Sequence, residues 1–175
     1  MPSRDPFDRL YDEHAAPLFG FLLNLTRSEP DTRDLLQEVF IKLARRPALL
    51  DGVLDPRAFL LRLAHNLAID LIRRRTTREK NYGQLAAAAS GSAFAPAAEP
   101  DFEAFRQALA NAMGDLPAEQ RAAVHLKLWE GLTFEQMAEV LEIPANTAAS
   151  RYRYALDHLR KALGADPRGD QRYDH

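Results

Sequence analysis

The run RAFLLRLAHNLAIDLIRRR, Arg57 to Arg75, holds the side chains best suited to meeting a polyanion. On a helical wheel of about 100° per residue, Arg62, Asn66 and Arg73 fall within about 40° of one another. Leu60, Leu63, Ala64, Leu67 and Leu71 gather on the other side. A guanidinium presents a fork of donors that fits phosphate oxygens, and a carboxamide offers one donor and one acceptor to a base edge. One side of this helix is therefore core, and the other can bind nucleic acid. Arg73, Arg74, Arg75, Arg78 and Lys80 continue as a basic run. Taken alone, such a run also reads as a solvated helix end that complements the macrodipole.

A second constellation spans Thr133 to Leu163. Thr133 with Gln136 three residues on forms a capping box for a short helix over Phe134 to Leu141. Pro144 forces a break, and a longer helix follows from a cap near Asn146, through Tyr152, Leu156, Leu159 and Leu163 to Gly164. Short helix, turn and longer helix is the spacing of a helix-turn-helix, whose second helix points its N-terminal residues at base edges in the major groove. Asn146, Thr147, Ser150, Arg151, Arg153 and Tyr154 are its expected readers. A plain helical hairpin with a polar surface is the alternative.

Catalysis finds little support. His14, His65, His125, His158 and His175 show no zinc-binding spacing, and no glycine-rich loop could cradle a phosphate. Asp34 and Glu38 share a helix face as a carboxylate pair would, yet solvated acids on an exposed face are far commoner than an acid/base dyad. No catalytic residue, metal or cofactor is expected.

The elements that position these residues are helical throughout. Apolar residues recur from Phe7 at Leu10, Tyr11, Leu18, Phe21, Leu22 and Leu25. After Pro30 a second pattern turns Leu35, Leu36, Val39, Phe40 and Leu43 inward, and Asp31, Asp34, Gln37, Glu38 and Lys42 outward. Asp55 as cap and Pro56 at the first helical position start the third, which runs to Arg75. Phe102 to Ala112 and Ala118 to Trp129 flank the Leu116-Pro117 break, and Trp129, Phe134 and Met137 are expected core residues.

Gly83 to Pro100, GQLAAAASGSAFAPAAEP, carries almost nothing large enough to bury and reads as a flexible linker. The expected organisation is all-α: a helical domain over 1–82, a linker over 83–100, a helix-turn-helix domain over 101–164 and a tail over 165–175. Domains this small bury only about 60% of their unfolded surface, so each gains from a partner.

Among 175 residues, 46% are hydrophobic and 27% charged, a globular balance that excludes wholesale disorder. Cysteine is absent, which removes disulfides and thiolate sites and fits a reducing compartment. Met1 to Asp8 holds acids and prolines where a signal peptide needs an apolar core, and no stretch approaches a membrane span. The chain reads as cytoplasmic, with no small-molecule substrate and no membrane insertion. Its net charge of -2 hides a segregation. Residues 1–56 hold 7 basic and 10 acidic side chains, 57–80 hold 7 and 2, 81–144 hold 3 and 9, and 145–175 hold 6 and 4. Two positive patches in an acidic chain suggest local phosphate contacts, with repulsion limiting loose binding elsewhere.

DLLQEVFIKLARR, Asp34 to Arg46, followed by Arg57 to Arg75, closely resembles the second conserved region of extracytoplasmic-function (ECF) sigma factors. LPAEQRAAVHLKLWEGLTFEQMAEVLEIPANTAASRYRYALDHLRKAL, Leu116 to Leu163, resembles their fourth region. The resemblance implies a bacterial initiation subunit that joins core RNA polymerase and directs it to promoter DNA, and an anti-sigma factor is an expected further partner. It also implies roles. Asp34, Gln37, Glu38 and Lys42 match the helix laid on the polymerase clamp. Arg62 and Asn66 match positions facing the opened minus-10 element, where a base is flipped into a protein pocket. Arg73, Arg74 and Arg75 match the basic end that follows the DNA backbone, and Ser150, Arg151 and Arg153 fall in the stretch that reads the minus-35 element.

The sequence departs from the family pattern at several points. LLDGVLD, Leu49 to Asp55, replaces a Phe-Arg-Gly-type loop, and Phe59 stands where tryptophan is usual. Ala149 and Tyr154 occupy often-basic positions. Glu142 replaces the turn glycine, so either the turn differs or a side-chain residue carries a costly positive φ there. A sigma-like decoy that binds an anti-sigma factor without opening DNA is the competing reading; Asn66 and the arginine run argue against it, because a decoy needs no DNA face. A plain helix-turn-helix regulator leaves Asp34 to Arg75 unexplained.

Overall fold

The computed structural model describes residues 5–83 and 100–164, so the expected linker and tail lie outside the described residues apart from Gly83, Pro100 and the domain edges. Seven α-helices and one 3-10 turn make up the described chain: α1 Pro6–Thr26, α2 Glu29–Arg45, the 3-10 turn Pro47–Leu50, α3 Pro56–Tyr82, α4 Pro100–Asp115, α5 Ala118–Leu128, α6 Phe134–Leu141 and α7 Ala145–Ala162. None of them is long and apolar enough to cross a membrane.

Caps fix the starts of the first three helices. Asp5, Ser28 and Asp55 accept from Phe7 N, Asp31 N and Ala58 N, and each helix carries proline within its first two positions. The tight α1–α2 corner is stitched by Thr32, whose buried hydroxyl donates to Ser28 O at 2.8 Å and lies 2.8 Å from Thr26 Oγ1. Leu18, Phe21, Leu22 and Leu25 of α1, and Leu35, Val39, Phe40 and Leu43 of α2, form the core as their spacing predicted. Tyr11 stays 46% exposed, with its ring edge against Phe40 at 4.7 Å.

Helix α3 departs from its expected end and from its expected burial. It continues to Tyr82, past Arg75, because neither glycine nor proline interrupts it before Gly83; Thr76 and Thr77 bond back to Ile72 O and Arg73 O along the way. Gly83 then caps it at φ 64, a conformation that favours glycine. The buried residues of α3 are Leu60, Leu61, Ala64, His65, Ala68 and Ile69, while Leu63, Leu67 and Leu71 are only half-buried. The fully buried positions alone cover about half the helix circumference on a wheel of about 100° per residue. An arc that wide exceeds the single stripe of a surface helix. The reason is tertiary: α3 packs on α1 and α2, and also on α6.

The same holds between the other elements. Helix α5 packs on α1, and one hydrophobic core runs from Phe21, Leu22 and Leu61 through Ala122, Ala123 and Leu126 to Met137, Val140 and Ala148. A smaller cluster, Ala112, Met113, Leu116, Val124, Ala155 and Leu159, lies where α4 meets α7. Each small bundle thus packs against the other.

Candidate nucleic-acid interface

The polar side of α3 begins at Arg62, half-buried, with its guanidinium carbon 5.5 Å from the centre of the Phe59 ring. An aromatic face at that distance steadies a cation without consuming its donors. Asn66, one turn on, is half-buried between two partners. Its Nδ2 donates to Glu142 Oε2 at 3.4 Å, and its Oδ1 lies 3.4 Å from Nδ1 of buried His65. Burial pushes the His65 imidazole down in pKa, the Asn66 contact opposes this, and the charge of Arg151 adds to it. Nε2 of His65 has no hydrogen-bond partner among the described residues.

The three arginines at the basic end differ. Arg73 is exposed, with Nη2 4.0 Å from Glu119 Oε1. Arg74 donates Nε to Asp70 O at 3.3 Å within its own helix. Arg75 grips Asp31 with both Nη atoms, the Nη2 to Oδ1 bond measuring 2.7 Å. That fork holds the Asp31 carboxyl below its ordinary range and raises Arg75 in return. Asp31, expected to point outward, is thus only half-exposed and ties α2 to α3.

On α2, Asp34, Gln37, Glu38 and Lys42 are all exposed at spacings of three and four residues, one continuous strip of solvent-facing side chains. The strip lies opposite the buried Leu35, Val39, Phe40 and Leu43.

Helices α6 and α7 form the helix-turn-helix with both expected starts altered or kept for visible reasons. The capping box is present: Thr133 Oγ1 accepts from Gln136 N at 3.2 Å and Gln136 Oε1 from Thr133 N at 2.9 Å. For α7, Pro144 is the cap residue and Asn146 already lies in the first turn, its carbonyl accepting from Ser150 Oγ at 2.9 Å. Asn146, Arg153 and Tyr154 are exposed, whereas Thr147, Ser150 and Arg151 are half-buried. Arg153 Nη2 donates to Ser150 Oγ at 3.2 Å. Glu142 closes α6 in the left-handed region at φ 55, so the strained alternative for that turn is the one realised.

Residues 10–78 match the family Sigma-70 region 2, and residues 106–159 match Sigma-70, region 4. The ECF RNA polymerase sigma factor SigL of Mycobacterium tuberculosis is 32% identical over 158 residues, 88% of this chain and 86% of that protein. The chain belongs to the ECF RNA polymerase sigma factor family. SigK of Mycolicibacterium vanbaalenii is 30% identical over 164 residues, covering 91% of this sigma factor and 83% of its relative. In fold, this sigma factor is similar to RpoE of Bartonella quintana, solved in complex with the anti-sigma factor NepR, with a TM-score of 0.74 at 22% identity over 91% of this chain and 98% of that one.

Sequence reasoning missed the residues that join the two bundles of this sigma factor. Arg121 is 8% exposed and reaches across from α5: Nε donates to Asn24 O at 2.9 Å and Nη2 to Leu25 O at 2.8 Å. Its Nη1 serves Leu116 O and Gly114 O. One guanidinium thereby satisfies carbonyls at the end of α1 and at the α4–α5 junction. Burial, with the charge of Arg27, pulls its pKa down to about 10, so it remains a cation. Nearby, Phe21 meets buried His125 at 5.2 Å, and Asn24 Nδ2 lies 3.4 Å from His125 Nδ1. His125 is lowered in pKa by burial, against the pull of Glu130. Glu130 takes Arg57, with Nε at 3.1 Å. Trp129, expected in the core, is 60% exposed, because α5 ends at Leu128 and the indole only stacks on His125 at 5.4 Å. A signal for these residues existed. Ala118, Arg121, Ala122 and His125 recur at the spacing of one buried face, and two of the four are polar.

Proposed function

We propose that this chain binds core RNA polymerase through the α2 strip of Asp34, Gln37, Glu38 and Lys42, recognises promoter DNA and opens it for transcription initiation. In this reading Arg62 and Asn66 face the opened minus-10 element, and Arg73, Arg74 and Arg75 follow its backbone. Asn146, Thr147, Ser150, Arg151, Arg153 and Tyr154 read the minus-35 element in the major groove. Residues 1–82 and 101–164 act as two units on a connector over 83–100. The chain works in the cytoplasm, performs no chemistry of its own and is restrained by an anti-sigma factor of the kind bound to the Bartonella protein.

The observation that carries the reading is Asn66, a half-buried neutral amide on the polar side of α3 between Arg62 and Arg73. Arginines alone would serve any polyanion; an amide placed among them supplies the directional donor and acceptor that a base needs. A decoy that never met DNA would leave this arrangement unused. Asn66→Ala is expected to impair strand opening more than initial promoter binding, since the target base is exposed only after it leaves the stack. Permanganate footprinting of holoenzyme on a promoter selected from a random library measures this. Equal opening by wild type and variant would remove Asn66 from the site.

A further inference from the structure

The exposed side of α7 is sparingly charged. Ala149 and Tyr154 bring no cation to it, Arg151 is half-buried with its charge acting on His65 of α3, and Arg160 is drawn to Asp157, with Nη1 3.6 Å from Oδ1. Among the described residues in the first three turns of α7, Arg153 is the one exposed cation. Its place on the helix matters as much as its charge. The buried residues of α7 are Ala148, Ala155 and Leu159. On a wheel of about 100° per residue, Asn146, Ser150 and Arg153 fall within about 40° of the line opposite them. When a helix lies in a major groove with its buried side on the protein, that central line faces the base edges on the groove floor. Flanking positions such as Ala149 and Tyr154 face the phosphate walls.

The Ser150 hydroxyl is already committed. Its Oγ donates to Asn146 O at 2.9 Å, and the same oxygen accepts from Arg153 Nη2 at 3.2 Å. A hydroxyl has one proton, so Ser150 has no donor left for a base. The guanidinium keeps more. Its five N–H groups make two forks, Nε with Nη2 and Nη1 with Nη2, and each fork uses a different proton of Nη2. One fork therefore stays whole whichever proton the serine takes. A whole fork matches the O6 and N7 acceptors of guanine. The bond to Ser150 also restrains a long side chain before DNA arrives, so less rotamer freedom is lost on contact. We propose that Arg153 reads a guanine of the minus-35 element, and that Ser150 is a positioning residue that aims the guanidinium and reads no base itself. The inference rests on the reading of α7 as the minus-35 helix, and it takes Ser150 out of the set of readers.

Both roles are tested by selection from promoters randomised across the minus-35 element, using holoenzyme assembled from core polymerase and the full-length chain. Wild type is expected to select G at one position. Arg153→Gln is expected to lower that preference about tenfold and to leave the other positions unchanged, because it removes one base contact. An unchanged preference for G, or a uniform loss of affinity across all sequences as a phosphate contact would give, overturns the assignment. Ser150→Ala is expected to lower the preference at the same position about threefold while affinity for non-specific DNA stays the same, since only the aim of the guanidinium is lost. A merely structural role would not confine the change to one base pair. Ser150→Thr keeps the hydroxyl and is expected to retain the wild-type preference. A change at a different position in Ser150→Ala, or no change at all, overturns the positioning role. Asn146→Ala separates the two layers of argument. If it alters the selected sequence while Arg153→Gln does not, only the Arg153 assignment is wrong; if no variant alters the selection anywhere, α7 is not the minus-35 helix.

Discussion

The outer strip of α2 and the polar side of α3 belong to one three-helix bundle, yet the chain treats them differently. Asp34, Gln37, Glu38 and Lys42 face solvent. Asn66 and Arg73 meet carboxylates from α5 and the α6–α7 turn, and Arg75 is held by Asp31. Both surfaces are polar and both are proposed to bind partners, so polarity does not distinguish them. What distinguishes them is whether the same chain carries a complementary surface within reach. Among the described residues no element packs on the outer side of α2, whereas α3 carries α6 on one flank and α1 and α2 on the other.

The contrast breaks most severely at α2. Asp34→Lys/Glu38→Lys is expected to abolish co-purification with core polymerase while far-UV circular dichroism stays unchanged, because both side chains are exposed. Losing a charged pair buried in an interface costs about 2 to 5 kcal/mol. Retention of the double variant on core polymerase would remove α2 from the proposed contact.

Arg121→Ala tests the opposite surface, the seam between the bundles. It strands the carbonyls of Asn24, Leu25 and Leu116 in a buried place, and each unsatisfied buried acceptor costs about 1 to 3 kcal/mol. A lowered urea midpoint is expected, together with faster proteolysis at the seam. An unchanged midpoint would mean that water replaces the guanidinium.

Arg74 and Arg75 sharpen the comparison within α3. Arg74→Ala is expected to lower the salt slope of promoter binding by about 1, the signature of one phosphate contact. Arg75→Ala is expected to change the slope less and to cost stability of up to about 1 kcal/mol, since its pair with Asp31 is half-exposed. Salt titrations of the two variants side by side decide; identical slopes would mean that Arg75 leaves Asp31 when DNA binds.

The smallest effect is pH dependence at the seam. His65 and His125 are buried with pKa values below the ordinary 6.5. The unfolded chain therefore takes up protons that the folded chain refuses, and stability falls as pH drops from about 6.5 toward the folded values. Thermal midpoints at pH 7.5 and 5.5 are expected to differ, and the difference is expected to shrink in His65→Gln/His125→Gln. A wild-type midpoint that does not fall on acidification would place both imidazoles in contact with water.

Much of this was legible without coordinates. Asp55-Pro56 announced α3, Thr133 with Gln136 announced α6, and the α1 and α2 core residues followed from spacing, because caps and amphipathic periodicity are local properties of a helix. The start of α7 misled, since Pro144 can serve as a cap residue without a side-chain bond and Asn146 was the more obvious cap. Trp129 misled for a similar reason: large apolar residues are usually buried, but a residue just past a helix end is positioned by the turn.

The sequence by itself determined the helices, the two sigma regions, the polar strip of α2 and the arginine-rich side of α3. Each of these is encoded within a few turns of chain, where residue type and spacing act directly. Only the tertiary structure decided that α3 is buried over half its circumference, that Arg121 serves carbonyls 96 and 97 residues away in sequence, and that Glu142 faces Asn66. Those contacts depend on how two amphipathic bundles dock, and docking is set by the shapes of both surfaces together. No local pattern contains that information, because a helix with two packing sides and a helix with a weak single side have the same periodicity until the second neighbour is in place.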